Sequence, residues 1–220
     1  MTMTDSSYIP PLRYSFLTKL YDPFVQATMR ERAFKSSLIQ QSQLQPSQRA
    51  LDLGCGTGTL TLMLKTLAPQ AEIVGLDADR DALALARSKT ARANCTPIEF
   101  DQGSATELPY EGCSFDHVFT SLLFHHLDRT SKAKAFQEIW RVLMPGGKLH
   151  LADWSQPSNA IMRIAFLGVQ LLDGFKTTSD NVRGMLPVLA RSAGFDDWEQ
   201  TASYTTIFGT LATFRASKLI

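Results

Sequence analysis

The sequence has little cysteine: three residues in 220, standing far apart at Cys55, Cys95 and Cys113. Their odd number, and the lack of a CxxC or histidine-rich companion, leave both a disulfide framework and a structural metal site unsupported. Neither sign of charge dominates. Lys and Arg total 22 against 21 Asp and Glu, and no basic run is interleaved with aromatics, so no nucleic-acid partner is expected. Long apolar runs are also missing: no uncharged stretch reaches the length that spans a bilayer. The opening MTMTDSSYIPPLRYSF puts Pro10 and Pro11 where a signal peptide needs its apolar segment. These absences predict a soluble, reduced, cytoplasmic protein without a transmembrane anchor. What the chain does have is 44% hydrophobic residues, enough to bury one substantial core.

Strand and helix signals alternate along it. From about Phe16 to Leu44, the residues Leu17, Leu20, Phe24, Met29, Phe34, Leu38 and Ile39 follow an imperfect helical spacing broken near Pro23. This predicts an N-terminal helical cap over residues 1–45, continuous with one compact domain over 46–220. Pro46 and Ser47 then turn the chain into a short buried strand, Ala50 to Leu53. TGTLTLMLKTLAP reads as a helix, AEIVGLD as a strand, and ADRDALALARSKTARAN as a helix capped by Asp79. PIEFDQG and FDHVFTSLLF read as strands, RTSKAKAFQEIWRVLMPGG as an amphipathic helix stopped by Pro145, Gly146 and Gly147, and KLHLADW as a further strand. The alternation predicts an α/β fold with a doubly wound, mostly parallel sheet covered on both faces. The last quarter reads as an apolar helix in SNAIMRIAFLGVQLLDGF, a helix bent or shortened by Pro187, and two terminal strands antiparallel to each other.

The segment LDLGCGTGTL, residues 51–60, places Gly54, Gly56 and Gly58 directly after the first strand. A phosphate loop of the GxxxxGK type needs a lysine, and Thr59 and Leu60 follow Gly58 instead. The dinucleotide pattern GxGxxG calls for its third glycine at position 59, so Gly58 arrives one residue early. The glycines still let a ligand or a helix approach the backbone, and the following helix offers free amides. Asp77, at the end of the second strand and 23 positions beyond Gly54, is placed to accept both hydroxyls of a ribose. Asp52 either orients the loop, receives a ligand ammonium, or is satisfied by turn amides.

LDLGCGTGTL resembles the first motif of class I S-adenosylmethionine-dependent methyltransferases. The likeness continues in order through IVGLDADRDALALAR, GSATELPYEGCSFDHVFTSLLFHHL and EIWRVLMPGGKLHLADW, covering about 100 residues. The subgroup it is most similar to contains the small-molecule enzymes of quinone and phospholipid methylation. The resemblance implies a seven-stranded sheet with six parallel strands and one antiparallel, and S-adenosyl-L-methionine as cofactor. It places the methionine part near Asp52, Gly54 and Gly56, the ribose on Asp77 and the adenine against Ala78, with Cys55, Gly58 and Ser121 as further cofactor-binding residues. Where the family reads Gly-Asp-Ala after the third strand, this chain has Gly103, Ser104 and Ala105. A missing charge-assisted bond to the adenine amino group is worth about 1–3 kcal/mol, so that contact shifts toward Ala105 or Gln102.

Transfer of a methyl group from a sulfonium relies mainly on positioning, and a protein base is needed only when the acceptor must lose a proton. His125 is the expected base or acceptor contact, since its ordinary pKa lies near neutrality; capping the next helix is the alternative. His126, Asp153, Trp154, Tyr14 and Tyr21 are the expected acceptor contacts, the aromatic rings suiting an apolar or cationic molecule. Arg13, Arg30, Arg32, Lys176 and Arg183 are candidate anion contacts. The expected activity is methyl transfer to a small molecule such as a quinone or lipid headgroup, by a monomer or homodimer, with peripheral membrane contact left open. Two other readings stay open: a cofactor-binding scaffold without turnover and an NAD-dependent oxidoreductase.

Overall fold

The computed structural model describes residues 31–95 and 97–219. The expected cap before residue 31, with Arg13, Tyr14, Tyr21 and Arg30, lies outside the described residues. Its remainder is helix α1, Glu31–Ser42. Phe34, Leu38 and Ile39, spaced for one helical face, are buried against the sheet together with Leu60, Leu64 and Phe119.

The following elements are β1 (Arg49–Leu53), α2 (Thr59–Leu67), β2 (Glu72–Asp77), α3 (Arg80–Arg92), β3 (Glu99–Gln102) and β4 (Phe115–Ser121). A 3-10 turn, Phe124–His126, leads into α4 (Arg129–Val142) and β5 (Leu143–Trp154). Then come α5 (Ala160–Asp173), α6 (Phe175–Val182), α7 (Leu186–Ser192), β6 (Glu199–Thr206) and β7 (Gly209–Ser217). The seven strands form one sheet in the order β3-β2-β1-β4-β5-β7-β6. Pairing is parallel from β3 through β5, and β7 runs antiparallel to both β5 and β6. The six-plus-one sheet and the antiparallel terminal pair are therefore as expected.

Alternating side chains divide between two cores. Val118 on β4 packs beneath α4 with Phe136 and Ile139, whereas its neighbour Phe119 packs beneath α1 and α2. Burial on both faces explains why these strands read as apolar runs. Helix starts are fixed by short polar side chains: Asp79 accepts from the amides of Asp81 and Ala82, Asp128 from Ser131, and Asn159 from Met162.

Two details differ from the sequence reading. Strand β5 begins at Leu143, directly at the end of α4, and absorbs Pro145, Gly146 and Gly147 as an irregularity in its pairing with β4. The C-terminal tail makes this possible, because Gly146 N donates to the Lys218 carbonyl and Lys218 N to that of Gly147. Pro187 does not bend a helix. It sits in the first turn of α7, where its missing amide is no loss, and the segment divides into α6 and α7 before it. Among the described residues, no helix is long and apolar enough to cross a membrane.

Candidate active site

The parallel strands β1, β2, β4 and β5 all end on one edge of the sheet, where Leu53 pairs with Leu76 and Thr120, and Ser121 with Ala152. A crevice outside these carboxyl ends is where α/β folds of this kind bind ligands. The glycine loop leaves β1 there. The amides of Gly54 and Cys55 both donate to the Leu76 carbonyl, at 2.8 and 3.0 Å, and Gly56 N donates to Asp77 Oδ2 at 2.7 Å. Asp77 Oδ1 accepts from Asp79 N at 2.9 Å. The strand-end acid thus ties loop and strand together while each oxygen keeps a further lone pair for a hydroxyl donor. Burial raises its pKa, and the amides of Asp79 and Gly56 oppose that rise.

The glycines serve two ends. A Cβ at Gly56 would meet nothing within 4 Å, so the loop backbone borders open space there. A Cβ at Gly58 would lie 2.9 Å from Ala86 Cβ, so this glycine lets α2 pack against α3. Cys55 is buried with Leu83, Ala86 and Phe100, and its thiol pKa is pushed up by that burial.

Asp52 is fully buried in β1. Its Oδ2 accepts from the Thr61 hydroxyl at 2.6 Å, while Oδ1 has no hydrogen-bond partner. Burial lifts its pKa to about 6, against the pull of the Thr61 bond and the Lys35 charge. An orphaned carboxylate oxygen beside an open glycine loop fits the ammonium of an amino-acid-like ligand, and Asp77 fits its sugar hydroxyls. The residues present therefore suit S-adenosylmethionine. The folded protein holds the Asp52 proton more tightly than the unfolded chain does. The stability due to this group is thus full below about pH 4 and is lost as pH rises through about 6. Replacing Asp52 with Asn is expected to raise the stability of the cofactor-free protein at neutral pH by about 1–2 kcal/mol: roughly 3 from the charge penalty, less 1–2 for an unpaired amide. Urea unfolding at pH 5 and pH 7 checks this, as does calorimetry with S-adenosylhomocysteine, whose affinity should fall.

On the adenine side, the exposed Ser104 hydroxyl bonds to Thr106 Oγ1 at 2.9 Å and accepts from the Thr106 amide. It is engaged in a local turn. Gln102 Nε2 donates to the Ala78 carbonyl at 3.2 Å, bracing the residue expected against the adenine. Ala105 is half-buried against the core, and Ser121 is half-buried at the last register position of β4.

Beyond Ser121 the chain turns sharply at Leu122, whose φ of 57° is uncommon for a non-glycine residue, and delivers His125 to the end of β5. His125 Nδ1 lies 2.8 Å from Asp153 Oδ1 and its Nε2 lies 3.7 Å from Asp173 Oδ2. Since a carboxylate only accepts, the Asp153 contact places a proton on Nδ1. Asp153 is fully buried and also accepts from the amides of Phe124, His125 and Trp154 and from Asn181 Nδ2. Its oxygens are thus spent within the protein, and it orients His125. Trp154 is buried edge-on to His125 and Phe166. His126 stacks at a tilt 4.0 Å from the His125 ring. Beneath them, the fully buried Lys132 donates to the carbonyls of Leu127 and Thr177, and burial lowers its pKa to about 8. Of the candidate anion contacts, Lys176 is paired with Asp128 at 3.2 Å. Arg32 and Arg183 are exposed.

Sequence reasoning missed Asp173, Asn181, Thr61 and Lys132. Asp173 and Asn181 reach His125 and Asp153 because α5 and α6 fold back over the strand ends, and no spacing rule carries that information.

A family model described as a methyltransferase domain matches residues 50–147. The demethylmenaquinone methyltransferase of Deinococcus radiodurans is 36% identical over 154 residues, covering 70% of this chain and 61% of that protein. The demethylmenaquinone methyltransferase of Thermus thermophilus is 34% identical, covering 70% of this chain and 66% of that one. The chain thus spans somewhat under two thirds of these relatives' length. Among solved structures, YcgJ of Bacillus subtilis has a TM-score of 0.70 at 16% identity, covering 86% of this chain and 99% of that one. Phosphoethanolamine N-methyltransferase 2 of Haemonchus contortus, solved with S-adenosylmethionine, has a TM-score of 0.69 at 18% identity, covering 84% of this chain and 52% of that one. These two show the same fold. Ordered motifs, a glycine loop tied to a strand-end acid, and the matched domain place the chain in the class I S-adenosylmethionine-dependent methyltransferase family, related to the demethylmenaquinone methyltransferases.

Proposed function

We propose that the protein transfers a methyl group from S-adenosylmethionine to a small-molecule acceptor, of which a reduced quinone or other hydroxylated aromatic is the best fit. The observation that carries this reading is the juxtaposition, on one sheet edge, of the Asp52, Gly56 and Asp77 cradle with a histidine held by a buried acid. When bound, the cofactor supplies an electrophilic methyl group and a thioether leaving group. Asp52 would receive the ammonium and Asp77 the ribose hydroxyls, and the Gly56 backbone leaves room for close approach. His125 Nε2 would take the acceptor's hydroxyl proton and so raise the acceptor's electron density. The names of the curated relatives support a quinone acceptor. Ile161, Ile164, Leu171 and Leu172 along α5 are exposed, an apolar stripe that suits an acceptor met at a membrane surface by a cytoplasmic protein, acting as monomer or homodimer.

A panel of quinols, phenols and amines incubated with labelled methyl donor tests the reading, with mass detection of the product. Labelled quinol is the expected result. Failure to bind S-adenosylhomocysteine overturns the cofactor assignment, while binding without transfer to any acceptor leaves a scaffold. His125→Gln is expected to lower the single-turnover rate by ~100-fold or more while changing cofactor affinity less than ~3-fold. An unchanged rate removes the histidine from the chemistry.

A further inference from the structure

We propose that His125, His126 and Asp173 form a binding site for one divalent transition-metal ion of the zinc type. One ligand atom from each residue lies within 4.8 Å of the other two. Around tetrahedral zinc with bonds of roughly 2.0–2.1 Å, neighbouring ligands stand about 3.3 Å apart, so closure needs a shift below ~1.5 Å. His125 Nε2 and Asp173 Oδ2 are already 3.7 Å apart. Asp173, the most exposed of the three side chains, has the freedom to close its own distances to the two rings.

Each residue is prepared for the role. Asp153 holds the Nδ1 proton of His125 at 2.8 Å, which fixes the tautomer and aims the Nε2 lone pair away from the acid. A carboxylate behind a histidine is the usual support of a metal-bound imidazole. His126 is 9% exposed, and its ring has no hydrogen-bond partner among the described residues. Asp173 ends α5, where the helix dipole disfavours an anion. No basic residue stands in the last turn to offset this. A cation between Asp173 and the two imidazoles relieves that cost. The nearby Lys132 does not fill that place, because its ammonium donates to the carbonyls of Leu127 and Thr177.

Two imidazoles and one carboxylate suit zinc, cobalt, nickel or iron better than magnesium or calcium, and three protein ligands leave a position open to water or an oxygen ligand. The inference goes beyond the methyl-transfer reading and does not rest on it. An ion held there occupies the Nε2 lone pair assigned above to proton removal, so metal and acceptor proton compete for one atom.

The test uses the full chain, free of affinity tags, in a Cys95→Ser and Cys113→Ser background that removes the accessible thiols. Co²⁺ is titrated with visible absorption and Zn²⁺ by calorimetry. The expected result is one ion per chain, with a Co²⁺ spectrum of nitrogen and oxygen ligands. Binding should weaken by ~100-fold or more in both His126→Ala and Asp173→Asn. Asp173→Asn changes a partly exposed helix end, so it reports even if His126→Ala folds poorly. Absence of saturable binding, or binding unchanged in Asp173→Asn, overturns the proposal.

Discussion

Replacing Asp153 with Ala is expected to cost about 3–5 kcal/mol of folding stability and to abolish methyl transfer. The fully buried carboxylate accepts from three backbone amides, from His125 Nδ1 and from Asn181 Nδ2. Removing it strands five donors away from water, and each unmet donor costs about 1–3 kcal/mol before the surroundings relax. The 3-10 turn carrying His125 and His126 loses its anchor to β5 in the same step. Asp153→Asn keeps one acceptor oxygen but turns an amide against existing donors, and should cost about half as much. Urea unfolding of the three proteins, followed by far-ultraviolet circular dichroism, separates these outcomes. A loss below about 1 kcal/mol for Asp153→Ala means the turn is held by packing alone.

Gly58→Ala is expected to cost about 2–4 kcal/mol, and Gly56→Ala only about 1. Both glycines have positive φ, 74° and 53°, so both substitutions carry left-handed strain. Only at Gly58 does the new methyl meet a neighbour that cannot yield, at 2.9 Å from Ala86 Cβ and 3.3 Å from its Cα. The order reverses for the ligand. A methyl on Gly56 enters the space bordering the loop, so calorimetry with S-adenosylhomocysteine should show at least ~10-fold weaker binding for Gly56→Ala. Equal losses of stability in the two variants contradict the division of labour between these glycines.

The glycine loop and the strand acids beside it were legible in the sequence because their determinants are local. Apolar runs bounded by turn residues gave β1, β2 and β4, and Asp79 announced the start of α3 because capping depends on neighbours two or three residues away. The Asp52 and Asp77 positions follow from strand ends. The acceptor side was less legible. His125 and Asp153 were both singled out, but their 2.8 Å contact depends on β4 and β5 being adjacent and in register. Asp173 lay in a segment read only as an apolar helix, and its approach to His125 comes from the packing of α5, a tertiary fact without a periodic signature. Ser104 was read as a weak adenine contact; its hydroxyl is engaged with Thr106 next door. The three-residue irregularity of β5 at Pro145–Gly147 depends on Lys218 pairing from the far end of the chain.

The matched domain ends at residue 147, and the groups around His125 that complete its surroundings, Asp153, Asp173 and Asn181, all come later in the chain. The excursion of α5, α6 and α7 leaves the sheet after Trp154 and re-enters at Glu199, on strands that flank β7 from either side. Trp154 stands level with Tyr204 across β7 and Glu199 level with His150, so the excursion leaves at one edge of the sheet and returns at the other, burying Phe166, Leu186 and Ala190 in the cores on its way. In evolutionary terms, the acids and the amide that surround His125 are inherited on a stretch beyond the matched domain. Changes within residues 155–198 can remodel the Asp173 and Asn181 side of those surroundings while the glycine loop and its strand-end acid stay as they are.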